Sequence, residues 1–208
     1  DEGEAFAAAV TGKTLTVAEA ARIAAEDDLR VIEVGGLAVS IEQATATGIN
    51  TTATFTEGGA PASFFTSASI DTGTEFQQVL VSIPTVQLPD GNNELLIGSG
   101  AIGASTVDLN ANGSGFFSLV VPITGTVVYR YVSSVASASR TVAFTGGPIF
   151  DESGNTTGYR TLAKAEAETL LNALGYRNGS DNPTTDFARV FSVVIKDSAG
   201  VDGTAASC

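Results

Sequence analysis

From Ile49 onward, apolar and polar residues alternate in short runs separated by turn residues. A period of two puts successive side chains on opposite faces, so each run predicts a half-buried strand. The runs are INTTATF (49–55), FQQVLVSIPTV (76–86), ELLIGSG (94–100), GFFSLVVPI (115–123), TVVYRYV (126–132) and RTVAFTG (140–146). Between them stand TEGGAP, PDGNN, NANGSG, TGGP and DESGN, rich in the Gly, Pro, Asn and Asp that favour tight turns. FARVFSVVIKD (187–197) carries the strongest strand pattern. Phe187, Phe191, Val193 and Ile195 share one parity and hence one face, which Arg189 interrupts near its start. In the adjacent pairs Phe64-Phe65 and Phe116-Phe117, one ring of each is expected to look outward, towards a neighbouring subunit or repeat. Short strands and turns at this spacing predict an antiparallel β-sandwich.

Two stretches break the period of two. TLTVAEAARIAAEDD (14–28) predicts a helix, with Thr16 as N-cap and Glu19 at the capping-box spacing. Its apolar face of Val17, Ala20, Ala21 and Ala24 is narrow and suits close packing. LRVIEVGGLAVSI (29–41) then predicts a hairpin about Gly35-Gly36. LAKAEAETLLNALGY (162–176) predicts a second helix, with Ala163, Ala167, Leu170, Leu171 and Leu174 on one side and Gly175 as its stop. KTLTVAEAARI (13–23) and RTLAKAEAETL (160–170) align without a gap at an offset of 160 − 13 = 147 residues. That offset exceeds solenoid periods and matches the length of a domain in an array. The expected organisation is a helix-and-hairpin segment over 1–48, acting as a repeat tail or a docking arm, a sandwich over 49–203 and a tail over 204–208.

Charge and composition narrow the function. The net charge of −13 repels phosphate backbones, so nucleic acid is not an expected partner. No run of apolar residues is long enough to span a bilayer as a helix. The chain has no His, which excludes His-based triads and His metal sites, and no Gly-x-Ser-x-Gly elbow. Adjacent carboxylates such as Asp151-Glu152 sit in turn sequence, and no enzymatic activity is expected. With Cys208 the lone cysteine, there is no intrachain disulfide. Four Tyr and no Trp argue against a carbohydrate-binding module. Asp108, Asn110 and Asn112 stand at EF-hand spacing, but Leu119 occupies the position of the bidentate Glu, so DLNANGSG reads as a turn. Asn50, Asn112, Asn155 and Asn178 each begin an Asn-x-Ser/Thr sequon.

TFTEGGAPASFFTSASIDTGTEFQQVLVSI (54–83) resembles the opening of the cadherin-like, Ig-like repeats of very large bacterial surface proteins, including RTX-type adhesins. LAKAEAETLLNALGYRNGSDNPTTDFARVFSVVIKDSAG (162–200) is similar to their closing part: a short Ala/Leu helix, a Tyr-x-Asn-x-Ser-Asp-Asn-Pro-Thr turn, an Arg-x-Phe strand and an Asp-x-x-Gly end. The resemblance implies an Ig/cadherin-like antiparallel β-sandwich in which a short helix covers one end before the last strand. It places Asp197 at the tip that leads to the next domain. Carboxylates at such tips bind Ca²⁺ and stiffen the junction, and the resemblance assigns that role to Glu57, Asp71, Asp197 and Asp202. Gly73 stands where the family has the second Asp of its Asp-x-Asp element. The expected role is a non-enzymatic spacer module of an extracellular surface protein, with neighbouring repeats, copies of itself, or a carbohydrate or host surface as partners. A self-assembling subunit of a surface layer, an extracellular filament or a virus particle is the alternative.

Overall fold

The computed structural model describes residues 31–34, 37–40, 44–50, 55–56, 59–103, 106–122, 124–184, 188–200, 202–203 and 205–207, with the backbone alone for the first two stretches. The helix expected over 14–28 lies outside the described residues. The hairpin that follows it is present: β1 (Val31–Val34) pairs antiparallel with β2 (Leu37–Ser40).

The rest is mainly β, in antiparallel sheets around one core. β3 (Ala46–Ile49) pairs with β5 (Phe65–Ile70), and β4 (Ala62–Ser63) precedes β5. Ala44 and Ala46 are buried, so the core extends a few residues N-terminal to the expected boundary at 49. β6 (Glu75–Pro84) is the spine of the large sheet. β7 (Glu94–Gly98), β8 (Ile102–Gly103) and β9 (Thr106–Asp108) follow, then the long meander β10 (Gly113–Val121), β11 (Gly125–Val135) and β12 (Ser139–Gly146). A small hairpin, β13 (Pro148–Phe150) and β14 (Thr156–Tyr159), leads to β15 (Leu162–Ala163), α1 (Lys164–Ala173) and β16 (Leu174–Asn178). β17 (Ser192–Asp197) and β18 (Ala206–Ser207) end the described chain.

The large sheet runs β18-β17-β6-β12-β11-β10-β8, with β15 also on β6; the second runs β4-β16-β7-β9. β6 leads by a long connection into β10, β11 and β12, and β12 returns beside β6, which is a Greek-key order. The inner face of the large sheet carries the expected alternation: Phe117, Leu119 and Val121 on β10, Val142 and Phe144 on β12, and Val193 and Ile195 on β17. Phe191 joins them and packs on Phe64 at 4.5 Å and Tyr176 at 5.6 Å between ring centroids, tying the two sheets. Phe187 lies outside the described residues. In β6 the buried residues are Phe76, then Val79, Val81 and Ile83, so the phase slips by one. A bulge opposite Lys196/Asp197 absorbs the slip and lets both Phe76 and Val79 face the core.

The two Phe pairs differ. Phe116 is exposed and Phe117 buried, as alternation requires. Phe64 and Phe65 are both buried, because Phe64 sits in the bend between β4 and β5 and turns onto Phe191.

Helix α1 is followed by β16, β17 and β18 rather than by the single last strand expected, and it sits there because β5 needs a partner on its free side. Asn172 Oδ1 accepts the Ala68 N–H at 2.7 Å and Glu168 Oε1 accepts the Ile70 N–H at 2.9 Å. Residues four apart stack on one helix face, so the helix supplies acceptors where a strand would. Ala167, Leu170 and Leu171 bury its other face. The helix stops at Leu174, which is already extended, rather than at a left-handed Gly175. Gly175 lies inside β16, where a Cβ would stand 2.8 Å from the Ala62 carbonyl oxygen; its small size serves strand approach, not helix termination. Replacing Asn172 with Ala leaves the Ala68 N–H without its acceptor. A loss of about 1–3 kcal/mol is expected in urea or thermal unfolding.

Candidate functional site: a buried carboxylate clamp

The turn and strand residues of the closing motif converge on two carboxylates that the sequence reading passed over, Asp90 and Glu94. Tyr176 Oη donates to Glu94 Oε1 at 3.0 Å. Asn178 Nδ2 donates to Asp90 Oδ2 at 2.6 Å. Thr184 gives its N–H to Asp90 Oδ2 at 2.9 Å and its hydroxyl to Oδ1 at 2.6 Å. Arg189 closes the set: Nε and Nη2 reach Glu94 Oε1 at 3.1 and 2.9 Å, Nη2 reaches Asp90 Oδ2 at 3.1 Å, and Nη1 donates to the Thr184 carbonyl at 2.6 Å. The Arg189 side chain is 11% exposed and Glu94 not at all. The arginine that interrupts an apolar strand face was the signal, since a cation there demands a buried anion. Glu94 at the head of β7 supplies it.

The electrostatics are uneven. Burial pushes the Glu94 carboxyl above the ordinary range, and the bonds from Arg189 and Tyr176 only partly offset it. Its Oε2 is buried with no hydrogen-bond partner. Burial also opposes ionisation of Asp90, but the Thr184, Asn178 and Arg189 contacts outweigh it and hold that carboxyl below its usual range. Burial works against the Arg189 cation too, and the bonds to Glu94 more than restore it. Closed off from solvent and paired, the cluster is a staple between chain segments.

The structure places three of the four residues expected to bind Ca²⁺. Asp71, Asp197 and Asp202 do lie at one end of the large sheet, since Asp197 pairs in register with Phe76 just beyond the Asp71 turn. Asp71 Oδ1 accepts the N–H groups of Thr45 and Thr72 at 2.7 and 2.8 Å, which fixes β3 against β5. Asp197 Oδ1 accepts the Ala199 N–H at 2.9 Å and its carbonyl accepts the Gly200 N–H at 3.0 Å. Gly200 has φ +86°, and the chain turns back into β18. The loop thus turns the chain from β17 back towards β18, and the expected tail contributes a strand. Asp202 pairs with Lys196 at 3.0 Å. Glu57 lies outside the described residues. Among the described residues no group of three or more His, Cys, Asp or Glu side chains stands together to hold a metal ion.

Of the sequons, Asn112 and Asn155 are exposed and Asn50 is half-buried. Asn178 is buried in the clamp, and a glycan on its Nδ2 would displace Asp90. DLNANGSG forms the β9–β10 turn, with Asp108 Oδ1 accepting the Asn110 N–H at 2.7 Å.

A second polar cluster lies at the start of α1. Glu166 Oε2 accepts from Arg160 Nη1 at 2.5 Å and from the Ala163 N–H at 3.0 Å, and Tyr129 Oη donates to the Glu166 carbonyl at 2.9 Å. Arg160 and Glu166 form the charged part of an open cleft of about 540 Å³, walled by Phe116, Val128, Pro148 and Phe150.

No protein family, no curated protein and no solved structure matches the chain.

Three outcomes follow from these sites. Arg189→Ala leaves two buried carboxylates uncompensated and is expected to cost about 3–5 kcal/mol in chemical denaturation. Glu94 has a folded-state pKa above its unfolded value, so its protonation favours the folded chain. The stability of the wild type relative to Glu94→Gln should therefore rise as pH falls from neutral through the raised pKa, level off below about 4.5, and show no such rise if the carboxyl titrates normally. Asp197→Ala removes a turn hydrogen bond and should cost about 1 kcal/mol equally in Ca²⁺ and in EDTA; a loss confined to Ca²⁺ would assign ion binding.

Proposed function

We propose that this chain is a non-catalytic structural module of a bacterial cell-surface protein, one of a series of like modules. One observation carries the reading. In the stretch 160–170 the buried residues are Leu162, Glu166, Ala167 and Leu170. Their counterparts in 13–23 are Leu15, Glu19, Ala20 and Ile23, three identical and one conservative. The four unlike positions, Ala163/Thr16, Lys164/Val17, Glu168/Ala21 and Thr169/Arg22, all fall where the structure leaves the side chain partly exposed. Apolar positions alone can coincide between any two Ala-rich amphipathic stretches, so the specific part of the match is the glutamate at the position where Glu166 is buried. Arg160, the partner of Glu166, has Lys13 as its counterpart, so the charge pair is kept as well. With a gap of one residue at Tyr159, Thr157-Gly158 has a further counterpart in Thr11-Gly12.

The segment from residue 13 to about 42 is then the closing part of a preceding module, while Ala44 and β3 belong to the core of the module that follows. The Greek-key order and the use of the closing motif as an internal staple support the finer assignment to the Ig/cadherin-like sandwiches. An extracellular setting draws its support from the resemblance. On this reading residues 1–42 add nothing to the module that follows, and their deletion leaves its thermal midpoint unchanged. A fall of roughly 10 °C, several kcal/mol for a chain of this size, would mean that the segment belongs to this module's own core and would remove the repeat reading.

A further inference from the structure

Among the described residues nine large apolar side chains are exposed, and seven of them gather on one surface. Ile102, Phe116, Val120 and Val128 lie on the outer face of β8, β10 and β11. Ser118 pairs with both Val128 and Ile102, which places these strands side by side. Ile149, Phe150 and Tyr159 stand on the β13–β14 hairpin beside them. Phe116 and Tyr159 are 6.4 Å apart between ring centroids, and the Arg130 guanidinium lies 4.1 Å over the Tyr159 ring. The cleft between sheet and hairpin makes the surface part concave. Exposed apolar clusters of this kind, with aromatics and arginine, mark protein contacts.

The geometry points to a second copy of this chain as the occupant, packed patch to patch about a two-fold axis. The charge distribution argues for it. Two chains of net charge −13 repel each other, but the patch carries the Arg130 guanidinium over Tyr159, while Arg160 is already paired with Glu166. At the tip of its hairpin stand Asp151 and Glu152, both exposed. An isologous contact repeats each pairing twice, so it can set the carboxylates of one hairpin against Arg130 of the other patch. The described ends of the module lie away from the surface. Ala44, where the chain joins the module, abuts Gly203, which is hydrogen-bonded to Ile195, and β18 lies on the same edge. The row Ile195, Val79, Phe144, Tyr131, Gly115 counts four strand spacings from that edge to β10, about 19 Å. Modules joined at the β17 edge would thus present the patch sideways, to another chain.

Sedimentation velocity of the full chain, with a thiol reductant to keep Cys208 from linking chains, over about 1 μM to 1 mM tests this. The expected result is a monomer–dimer equilibrium. Phe116→Ser with Val120→Ser should abolish the dimer while leaving circular dichroism and the thermal midpoint unchanged. Glu152→Arg should weaken it at least about tenfold, and adding Arg130→Glu should restore part of the loss. A wild-type chain that stays monomeric throughout, or a dimer that the Phe116/Val120 double variant leaves intact, overturns the proposal. Neither outcome depends on whether the segment from residue 13 to about 42 belongs to a repeat.

Discussion

Arg189 is the constraint on which the architecture hangs. The chain passes from the large sheet to the small one between β6 and β7, where Asp90 and Glu94 stand, and returns between β16 and β17, where Thr184 and Arg189 stand. One guanidinium binds these two of the chain's several crossings. Without it, two carboxylates would face each other in a dry site with no cation between them, and the bonds from Tyr176, Asn178 and Thr184 alone would hold the outgoing chain to the returning one. A buried pair of this kind is not a simple gain in stability, because desolvation consumes much of the attraction. Its value lies in specificity. Tyr176, Asn178 and Thr184 complete the set only when β16 is in register beside β7, since β16 pairs with that strand through Tyr176 and Asn178.

The same economy of parts explains α1. A sheet edge normally ends in another strand or in solvent. Here β5 ends on the side chains of Glu168 and Asn172, and the apolar stripe of the helix closes the core. The helix, the clamp turn and β17 form one consecutive unit, which is why their sequence reads as a single closing motif.

Much of the fold was legible in the alternation of residues. The strands β6, β7, β10, β11, β12 and β17, the β1–β2 hairpin and the helix before the last strand follow from period and turn chemistry alone. What escaped was set by contacts across the chain. The slip between Phe76 and Val79 needs the bulge that β17 provides. Gly175 looks like a helix stop until β4 is seen lying against it. Asp197 and Asp202 suit both ion binding and turns by sequence, and the turn bonds of Asp197 and the Lys196 pairing of Asp202 become visible only once β17 and β18 are paired. The clamp could be half inferred, since Arg189 on an apolar face calls for an anion, but which of 23 acidic residues answers is a matter of topology.

The account's central claim is that Arg189 and Glu94 act as one unit across the two crossings. A double-mutant cycle tests it most directly, with Arg189→Met, Glu94→Leu and the pair together, each followed by urea unfolding at neutral pH. The account predicts that each single change, by stranding its partner's charge, costs more than the double change, with a coupling of about 2–3 kcal/mol. Losses that simply add would show that the two residues act independently, and the clamp would no longer explain how the sheets are joined.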